Sequence, residues 1–262
     1  EELGIDYDKI RPVIADTASI GFNFVTGGSR VTFATGLAVV NSVRDLIRDL
    51  KSRAAKTWGV DPEGVIWENG MAKPAGSNVG TFEPLTIAQL AATAGKTGGP
   101  INGHAQLNVT GAGPGFGVHV CDLAVDADTG IVTIGRYTAA QDVGTAIHPS
   151  YVEGQLQGGA VQGIGWALNE EYIYNAQGRL ANPGFLDYRI PVASDLPMIE
   201  TVLVEVPNPT HPYGVRGVGE VPIIPPLATV ANAVARATGL RMLDLPLSPP
   251  KLSAALDAPR PL

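Results

Sequence analysis

Glu220 is the residue whose surroundings point most directly to chemistry. Residues 217–219 are Gly-Val-Gly, and residues 221–226 form the apolar, proline-stiffened run Val-Pro-Ile-Ile-Pro-Pro. Such a run is expected to desolvate a neighbouring carboxylate, and a desolvated carboxylate suits a general base near neutral pH. A glutamate that only pairs with the positive end of a helix dipole explains the same residue. Taken alone, the segment favours this structural alternative.

Residues 26–30 (Thr-Gly-Gly-Ser-Arg) have the features of an anion site. Glycines let a backbone approach a ligand closely, and the start of the helix predicted to follow would supply unpaired N–H groups. Arg30 is electrostatically unfavourable in a first helical turn unless an anion lies beside it. The segment therefore predicts a phosphate or pyrophosphate site. An ordinary helix cap by Ser29 with an exposed Arg30 explains it equally well.

Residues 154–165 combine helical spacing with five glycines. Each glycine costs a helix interior about 0.5–1 kcal/mol relative to alanine, so their number indicates that another backbone or a cofactor packs very close. Gln155 and Gln162 are seven residues apart and share nearly the same face. A glutamine there offers both a donor and an acceptor to a polar ligand. Tight packing between helices is an equally good explanation.

Other common site motifs are absent from the sequence. The four histidines, at 104, 119, 148 and 211, lack zinc-site spacing, so we predict no metal held by protein side chains. The glycine-rich residues 111–117 precede a predicted strand rather than a helix, which fails the dinucleotide fingerprint. Residues 95–97 resemble the end of a phosphate-binding loop, but Leu90 occupies the position of its first glycine.

Composition restricts the class of protein. The chain has 262 residues, a net charge of −7 and no cluster of basic residues, which argues against a nucleic-acid partner. It contains no apolar run of about 18 residues, so we expect no membrane span. Cys121 is the single cysteine, which excludes an internal disulfide and an iron–sulfur cluster held by this chain alone. The acidic residues 1–4 do not resemble a signal peptide, and we expect a cytoplasmic protein.

Periodicity and turn residues predict α+β organisation, because strands and helices mix without regular alternation. We predict two lobes, over 1–105 and 106–262, since Gly98-Gly99-Pro100 interrupts the pattern near that point. The first lobe should contain a strand at 11–16, a helix at about 30–52, short strands around Asn69-Gly70 and a short helix at 86–94. The second should contain strands at 116–125, 131–137 and 201–206, a hairpin around 175–178, and helices at 149–169 and 225–238.

In this order, the segments resemble the molybdenum hydroxylase family of the xanthine dehydrogenase/aldehyde oxidase type. The strongest parts are residues 27–30, 141–165 and 217–220, and the tail 245–251 is also similar. The resemblance implies the C-terminal part of a molybdopterin-binding large subunit, with its two lobes arranged around the cofactor. Such enzymes hydroxylate aldehydes or N-heteroaromatic rings with water as the oxygen source.

The resemblance also implies roles for individual residues. Glu220 would be the catalytic base, and Gln155 would hydrogen-bond the molybdenum centre or its pterin. The cofactor-binding loop would comprise Gly27, Gly28, Ser29 and Arg30. Two positions depart from the family's usual pattern: His148 stands where asparagine is frequent, and Arg216 where lysine is frequent. Both are expected to give local support and to leave the reaction type unchanged.

Cofactors and partners follow from the same resemblance. We expect molybdopterin with molybdenum, as the mononucleotide or its cytosine dinucleotide, with [2Fe-2S] clusters and FAD on partner subunits. In the family, the segment at residues 1–4 lies deep inside a longer chain. We therefore expect a separate subunit, a cleavage product or a fragment, which needs the N-terminal half of the molybdenum subunit as a separate chain, an iron–sulfur subunit, an FAD subunit and a small-molecule substrate. A carbon monoxide dehydrogenase-type fragment and a non-catalytic assembly subunit are the alternatives.

Overall fold

The computed structural model describes residues 1–14, 16–18, 20–23, 25–109 and 113–258. The chain divides into two compact units. The first comprises Glu1–Thr26 and Ala34–Thr110, and the second comprises Gly27–Phe33 and Gly111–Leu262. Helices and small sheets are mixed in both, which confirms the predicted α+β class. The domain boundary predicted between residues 105 and 106 stays a prediction.

The first unit is organised around helix α1 (Gly36–Trp58), which follows a π-helical turn at Val31–Thr35. The buried side chains of α1 include Leu50, Ala54 and Ala55. This buried face continues past residue 52, so the helix extends further than predicted. It ends where Gly59 takes a left-handed conformation and donates its N–H to the carbonyl of Ala55.

A three-stranded antiparallel sheet packs with α1. Its strands are β1 (Val65–Glu68), β2 (Met71–Pro74) and β3 (Leu85–Thr86). Asn69 and Gly70 both have positive φ, as a tight two-residue hairpin requires, which confirms the predicted turn. Helix α2 (Ile87–Ala92) begins at Thr86, whose hydroxyl accepts the backbone N–H of Gln89 in a capping box. The short helix α3 (Ala94–Thr97) follows.

One buried arginine holds the first unit together locally. Arg53 of α1 pairs with Asp49, Nε to Oδ2, at 2.8 Å. Its guanidinium also donates to the carbonyl of Gly99 at 2.7 Å and to that of Pro100 at 3.0 Å. We call these residues the Arg53 cluster. They fasten the turn at 98–100 to the helix.

The second unit contains a three-stranded sheet covered by helices. Antiparallel strands β4 (Gly117–Val125) and β5 (Val132–Asp142) correspond to two of the predicted strands and form a hairpin, and β6 (Ile199–Val204) pairs with β5 in parallel. Helices α4 (Pro149–Leu168), α5 (Ile224–Thr238) and α6 (Pro249–Asp257) complete the unit. Its core comprises buried residues of strands and helices, among them Tyr137, Ile164, Val230, Val234 and Leu252.

Several predictions about elements were incomplete or wrong. No strand forms at residues 11–14 or 16, because Val13 and Ile14 are exposed and pair with no neighbouring strand, while Ala15 lies outside the described residues. The hairpin around 175–178 is reduced to one bridge, Tyr174 with Leu180. Helix α6 was not predicted. Phe24 and residues 111–112, within the predicted loop and glycine-rich segment, also lie outside the described residues.

Candidate functional site

Glu220 and Ser29, far apart in the sequence, are hydrogen-bonded in the second unit. The backbone N–H of Glu220 donates to Ser29 Oγ at 2.7 Å, and Ser29 Oγ donates to Glu220 Oε2 at 3.3 Å. Gly217 fits closely below them, since a Cβ there would lie 2.9 Å from the Ser29 carbonyl oxygen. The 27–30 segment and the 217–220 segment therefore lie side by side. That both contact a cofactor stays a prediction.

The backbone at Gly28 and Ser29 is unusual. Both residues have positive φ, 68° and 55°. Ser29 is not a glycine, and this conformation costs such a residue about 1–2 kcal/mol. Its two hydrogen bonds to Glu220 offset that cost. The Ser29 hydroxyl therefore bonds a residue of another segment and does not act as an ordinary helix cap.

Arg30 and Phe33 follow this loop. Phe33 is buried, with its ring 5.4 Å from that of His211, so the segment is anchored in the second unit. Burial lowers the pKa of His211. Arg30 is half-buried and forms no ion pair within the described part of the chain. An anion beside Arg30 stays a prediction.

Helix α4 presents two kinds of glycine. A Cβ at Gly159 would collide with Pro222, and one at Gly163 would lie 2.5 Å from the Ile223 carbonyl oxygen. These two glycines permit close packing of helix and loop. Gly154 and Gly158, in contrast, have open space where a side chain would be. Tight packing therefore explains Gly159 and Gly163, whereas Gly154 and Gly158 leave backbone accessible to a ligand.

Gln155 lies on α4 beside that open stretch and is exposed. Its Oε1 would be 2.6 Å from a Cβ placed on Gly219, so its amide reaches the residue before Glu220. The structure thus brings together Gly28, Ser29, Gln155 and Glu220. Gln162 is exposed on the same helix, and no hydrogen bond joins it to this group within the described residues.

The expected desolvation of Glu220 was wrong for this chain. Glu220 is exposed. The apolar residues after it pack elsewhere: Pro222 is buried against Gly159, and Val221 lies against Gly115. The prediction failed because residues that follow a carboxylate in the sequence shield it from water only if their side chains point towards it.

Residues 215–220, which we call the Glu220 loop, are held along most of their length. Asn208 Nδ2 donates to the Val215 carbonyl at 3.1 Å, and Gln141 Nε2 donates to the Val218 carbonyl at 3.2 Å. Arg216 Nε lies 3.2 Å from Asp142 Oδ2, with both side chains nearly buried, at 11% and 12% exposure. Ser29 completes the set at Glu220.

Sequence reasoning did not find these supporting contacts. It included residues 141–144 in the similar stretch 141–165 but gave no role to Gln141, Asp142 or Asn208. Gly144 shows what the motif requires: its φ is +64°, and a Cβ would lie 2.5 Å from the Gly214 carbonyl oxygen and 2.9 Å from the Arg216 nitrogen. The predicted supporting role of Arg216 is consistent with its contacts. His148 stacks on Tyr151 with ring centroids 4.0 Å apart.

The groups at the site suit a polar organic ligand. They comprise one hydroxyl, one amide, one carboxylate and accessible backbone at Gly28, Gly154 and Gly158. In the described ranges, no group of three or more His, Cys, Asp or Glu side chains could hold a metal ion. A heterocycle with donors and acceptors on its edges fits this set. No helix among the described residues is long and apolar enough to cross a bilayer.

Comparisons with known proteins point to the same ligand. Residues 1–197 match the family model of a molybdopterin cofactor-binding domain. The chain is similar to the putative xanthine dehydrogenase molybdenum-binding subunit of Escherichia coli K12, with 42% identity over 59% of this chain and 21% of that protein. It is also similar to the carbon monoxide dehydrogenase large chain of Hydrogenophaga pseudoflava, with 31% identity over 94% of this chain and 31% of that protein.

Solved structures show the same fold. A crystal structure of Cu,Mo-CO dehydrogenase in its carbon monoxide reduced state superimposes with a TM-score of 0.81 and 27% identity, over 98% of this chain and 34% of that one. The chain therefore spans about a fifth to a third of the length of these relatives.

Proposed function

Because this chain belongs to the molybdopterin cofactor-binding family of the molybdenum hydroxylases, we propose that it forms part of the active site of a molybdenum-dependent oxidoreductase. The proposed reaction is hydroxylation of an aldehyde or an N-heteroaromatic ring with water as the oxygen source. The observation that carries the proposal is the convergence of Ser29, Gln155 and Glu220, which come from three separate segments.

Glu220 is proposed as the general base. Its Oε2 accepts the Ser29 hydroxyl, while Oε1 has no hydrogen-bond partner within the described residues. The free oxygen can accept a proton, and the fixed backbone N–H and Oε2 orient it. When bound, the molybdenum cofactor supplies the two-electron oxidation and the activation of water.

Gln155 and the loop of Gly27, Gly28, Ser29 and Arg30 are proposed to bind the cofactor. The exposed amide of Gln155 supplies a donor and an acceptor for a pterin edge. Open backbone at Gly28 allows close approach. Arg30, which forms no ion pair with any residue that the structure describes, provides positive charge for a phosphate. Whether the pterin is the mononucleotide or the cytosine dinucleotide can be decided by releasing the cofactor and identifying its nucleotide.

Electron transfer requires partners under this proposal. The chain has one cysteine, Cys121, whereas a [2Fe-2S] cluster is held by about four thiolates. Burial, together with the nearby Asp122, raises the pKa of the Cys121 thiol to about 11. We propose that [2Fe-2S] clusters and FAD are held by partner subunits and that further molybdenum-subunit sequence completes the site, in a cytoplasmic complex. Two relatives are named as subunit gamma of a 6-hydroxypseudooxynicotine dehydrogenase complex and as a nicotine 6-hydroxylase large subunit.

The first experiment is elemental and pterin analysis of the intact complex, followed by Glu220→Gln. General-base catalysis is commonly worth about 10²–10⁴-fold, so substrate reduction of the molybdenum should slow by that factor with metal content unchanged. Glu205→Gln is the matched control, because Glu205 is exposed in the same unit and, among the described residues, accepts a hydrogen bond from the Ala146 N–H alone. A complex without molybdenum would refute the function. A Glu220→Gln rate within about threefold of wild type would refute the base and favour a non-catalytic assembly subunit.

A carbon monoxide dehydrogenase-type function is the second candidate. It is supported by the similarity to carbon monoxide dehydrogenase large chains and by the TM-score of 0.81. A reduction assay with carbon monoxide, an aldehyde, a purine and a pyridine-type ring would separate the candidates. Rapid reduction by carbon monoxide alone would replace the first proposal with the second.

A further inference from the structure

Arg216 joins the Glu220 loop to the end of the three-stranded sheet. Its Nε lies 3.2 Å from Asp142 Oδ2 on the last residue of β5 and 3.3 Å from the Val206 carbonyl oxygen just beyond β6. Its Nη1 donates to the Pro114 carbonyl at 2.9 Å, shortly before β4. A single planar guanidinium therefore contacts the same end of all three strands.

The central strand holds the loop through two consecutive side chains. β5 lies between β4 and β6. Its last residue, Asp142, pairs with Arg216, and the preceding Gln141 is buried and donates its amide to the Val218 carbonyl. The two residues contacted, Arg216 and Val218, lie within four positions of Glu220 in the sequence. A rigid strand thereby fixes the backbone that carries the proposed base.

We infer that Arg216 is a positioning residue for Glu220, acting through its pairing with Asp142 and assisted by Gln141. This inference rests on the proposed function of Glu220. Misplacing a reacting group by about 1 Å can cost about 10²-fold in rate, so loss of the Arg216 contacts should reduce turnover even though Arg216 is not itself the base.

The test uses the intact complex with Arg216→Gln and Arg216→Lys. Arg216→Gln should lower kcat by about 10–10²-fold, with KM changed less than about threefold and molybdenum content unchanged. Arg216→Lys keeps the charge beside Asp142 and should restore kcat to within about tenfold of wild type, although it loses the planar fork. Hydrogen–deuterium exchange of the peptide 215–223 should be faster in Arg216→Gln.

Arg53→Gln is the matched control. It removes a buried arginine that also bonds one carboxylate and two backbone carbonyls, but in the first compact unit. Thermal stability should fall in both glutamine variants. Arg53→Gln should keep kcat per molybdenum, and exchange in 215–223 should stay at the wild-type rate.

The outcomes separate this inference from the proposed function. Unchanged exchange in 215–223, or a kcat in Arg216→Gln within about threefold of wild type while Glu220→Gln is inactive, overturns the positioning role of Arg216. Full activity of Glu220→Gln overturns the proposed base instead. If Arg216→Gln does not assemble, Gln141→Met tests the same loop without changing charge: faster exchange with lower kcat supports the inference, and wild-type behaviour contradicts it.

Discussion

Arg53 and Arg216 show two uses of the same chemical arrangement. Each pairs with an aspartate and donates to backbone carbonyls of other segments. Asp49, the partner of Arg53, lies four residues earlier on the same helix and is 35% exposed, whereas Asp142 belongs to a strand and is 12% exposed. The Arg53 cluster therefore fastens a turn to a helix. The Arg216 contacts fasten a loop with an exposed carboxylate to a sheet.

This difference shows that the contacts around Glu220 hold the main chain that carries it. Glu220 is exposed, so its orientation comes from its backbone and from Ser29. Three of the hydrogen bonds around it are directed at carbonyl or amide groups of residues 215–220. A site can therefore keep a reactive group accessible and still fix it, provided that the surrounding side chains hold the main chain.

The largest expected effect on stability is that of Asp142→Asn. The pair of Asp142 with Arg216 is nearly buried, and removing one partner of a fully buried ion pair commonly costs about 3–5 kcal/mol, because the remaining charge is left uncompensated. Asp49→Asn should cost about 1 kcal/mol or less, since a partly exposed pair is screened by solvent. Urea unfolding of the two variants measures the difference. Equal losses would show that the different exposure of Asp49 and Asp142 does not distinguish the two ion pairs.

Much of the fold was predictable because its signals are local. The predicted turn at Asn69-Gly70 is confirmed by the positive φ of both residues. The helix predicted from residue 86 is capped by Thr86, and the helix predicted to end at 238 is followed by Gly239 in a left-handed conformation. The parallel pairing of β6 with β5 was not predictable, since it depends on distant residues. Helix α6 was missed for the same reason: its buried Leu252 is defined by a core built from other elements.

The candidate site was predictable only in part. The family match confirms the predicted resemblance, and the structure places Ser29 beside Glu220. The supporting contacts of Gln141 and Asp142 were not predictable, because each joins residues far apart without any periodic pattern. Whether the grouped residues bind a cofactor and act on a substrate stays a prediction.

Gly144→Ala should be the next most damaging change, and Gly98→Ala is its counterpart at the Arg53 cluster. Both glycines have positive φ, which costs alanine about 1–2 kcal/mol. A Cβ at Gly144 would also meet the Gly214 carbonyl, while at Gly98 its nearest neighbours are Arg53 atoms at 3.6 Å, an ordinary contact. We expect a loss of about 3 kcal/mol for Gly144→Ala with the added overpacking, and only the conformational cost for Gly98→Ala. Equal melting temperatures would refute this assignment.

Acid should destabilise the second unit through a buried histidine. Burial lowers the pKa of His119 to about 4, whereas the unfolded side chain titrates near 6.5. Between these values the unfolded state binds the extra proton, so stability falls as the pH drops from 6.5 towards 4, by up to about 1.4 kcal/mol per pH unit. His119→Gln cannot take up this proton.

The pH effect is measured by urea unfolding at pH 7, 6 and 5. His119→Gln should show a shallower loss than the wild type. His104→Gln, which alters an exposed histidine of the first unit, should retain the wild-type slope. If the slope is the same in all three proteins, His119 is not the group responsible.

The smallest expected effect is that of Thr86→Ala, which tests whether the first unit can be weakened without disturbing the Glu220 loop. The Thr86 hydroxyl accepts the Gln89 N–H at 3.3 Å, and Gln89 Oε1 accepts the Thr86 N–H at 2.9 Å. Replacing such a cap by alanine costs about 1 kcal/mol, because a helix N–H loses its partner. Thr86→Ser keeps the hydroxyl and should remain close to wild type. Since both changes lie in the first compact unit, exchange at 215–223 and kcat per molybdenum should be unchanged, and a clear fall in either would show that the contacts around Glu220 depend on the first unit.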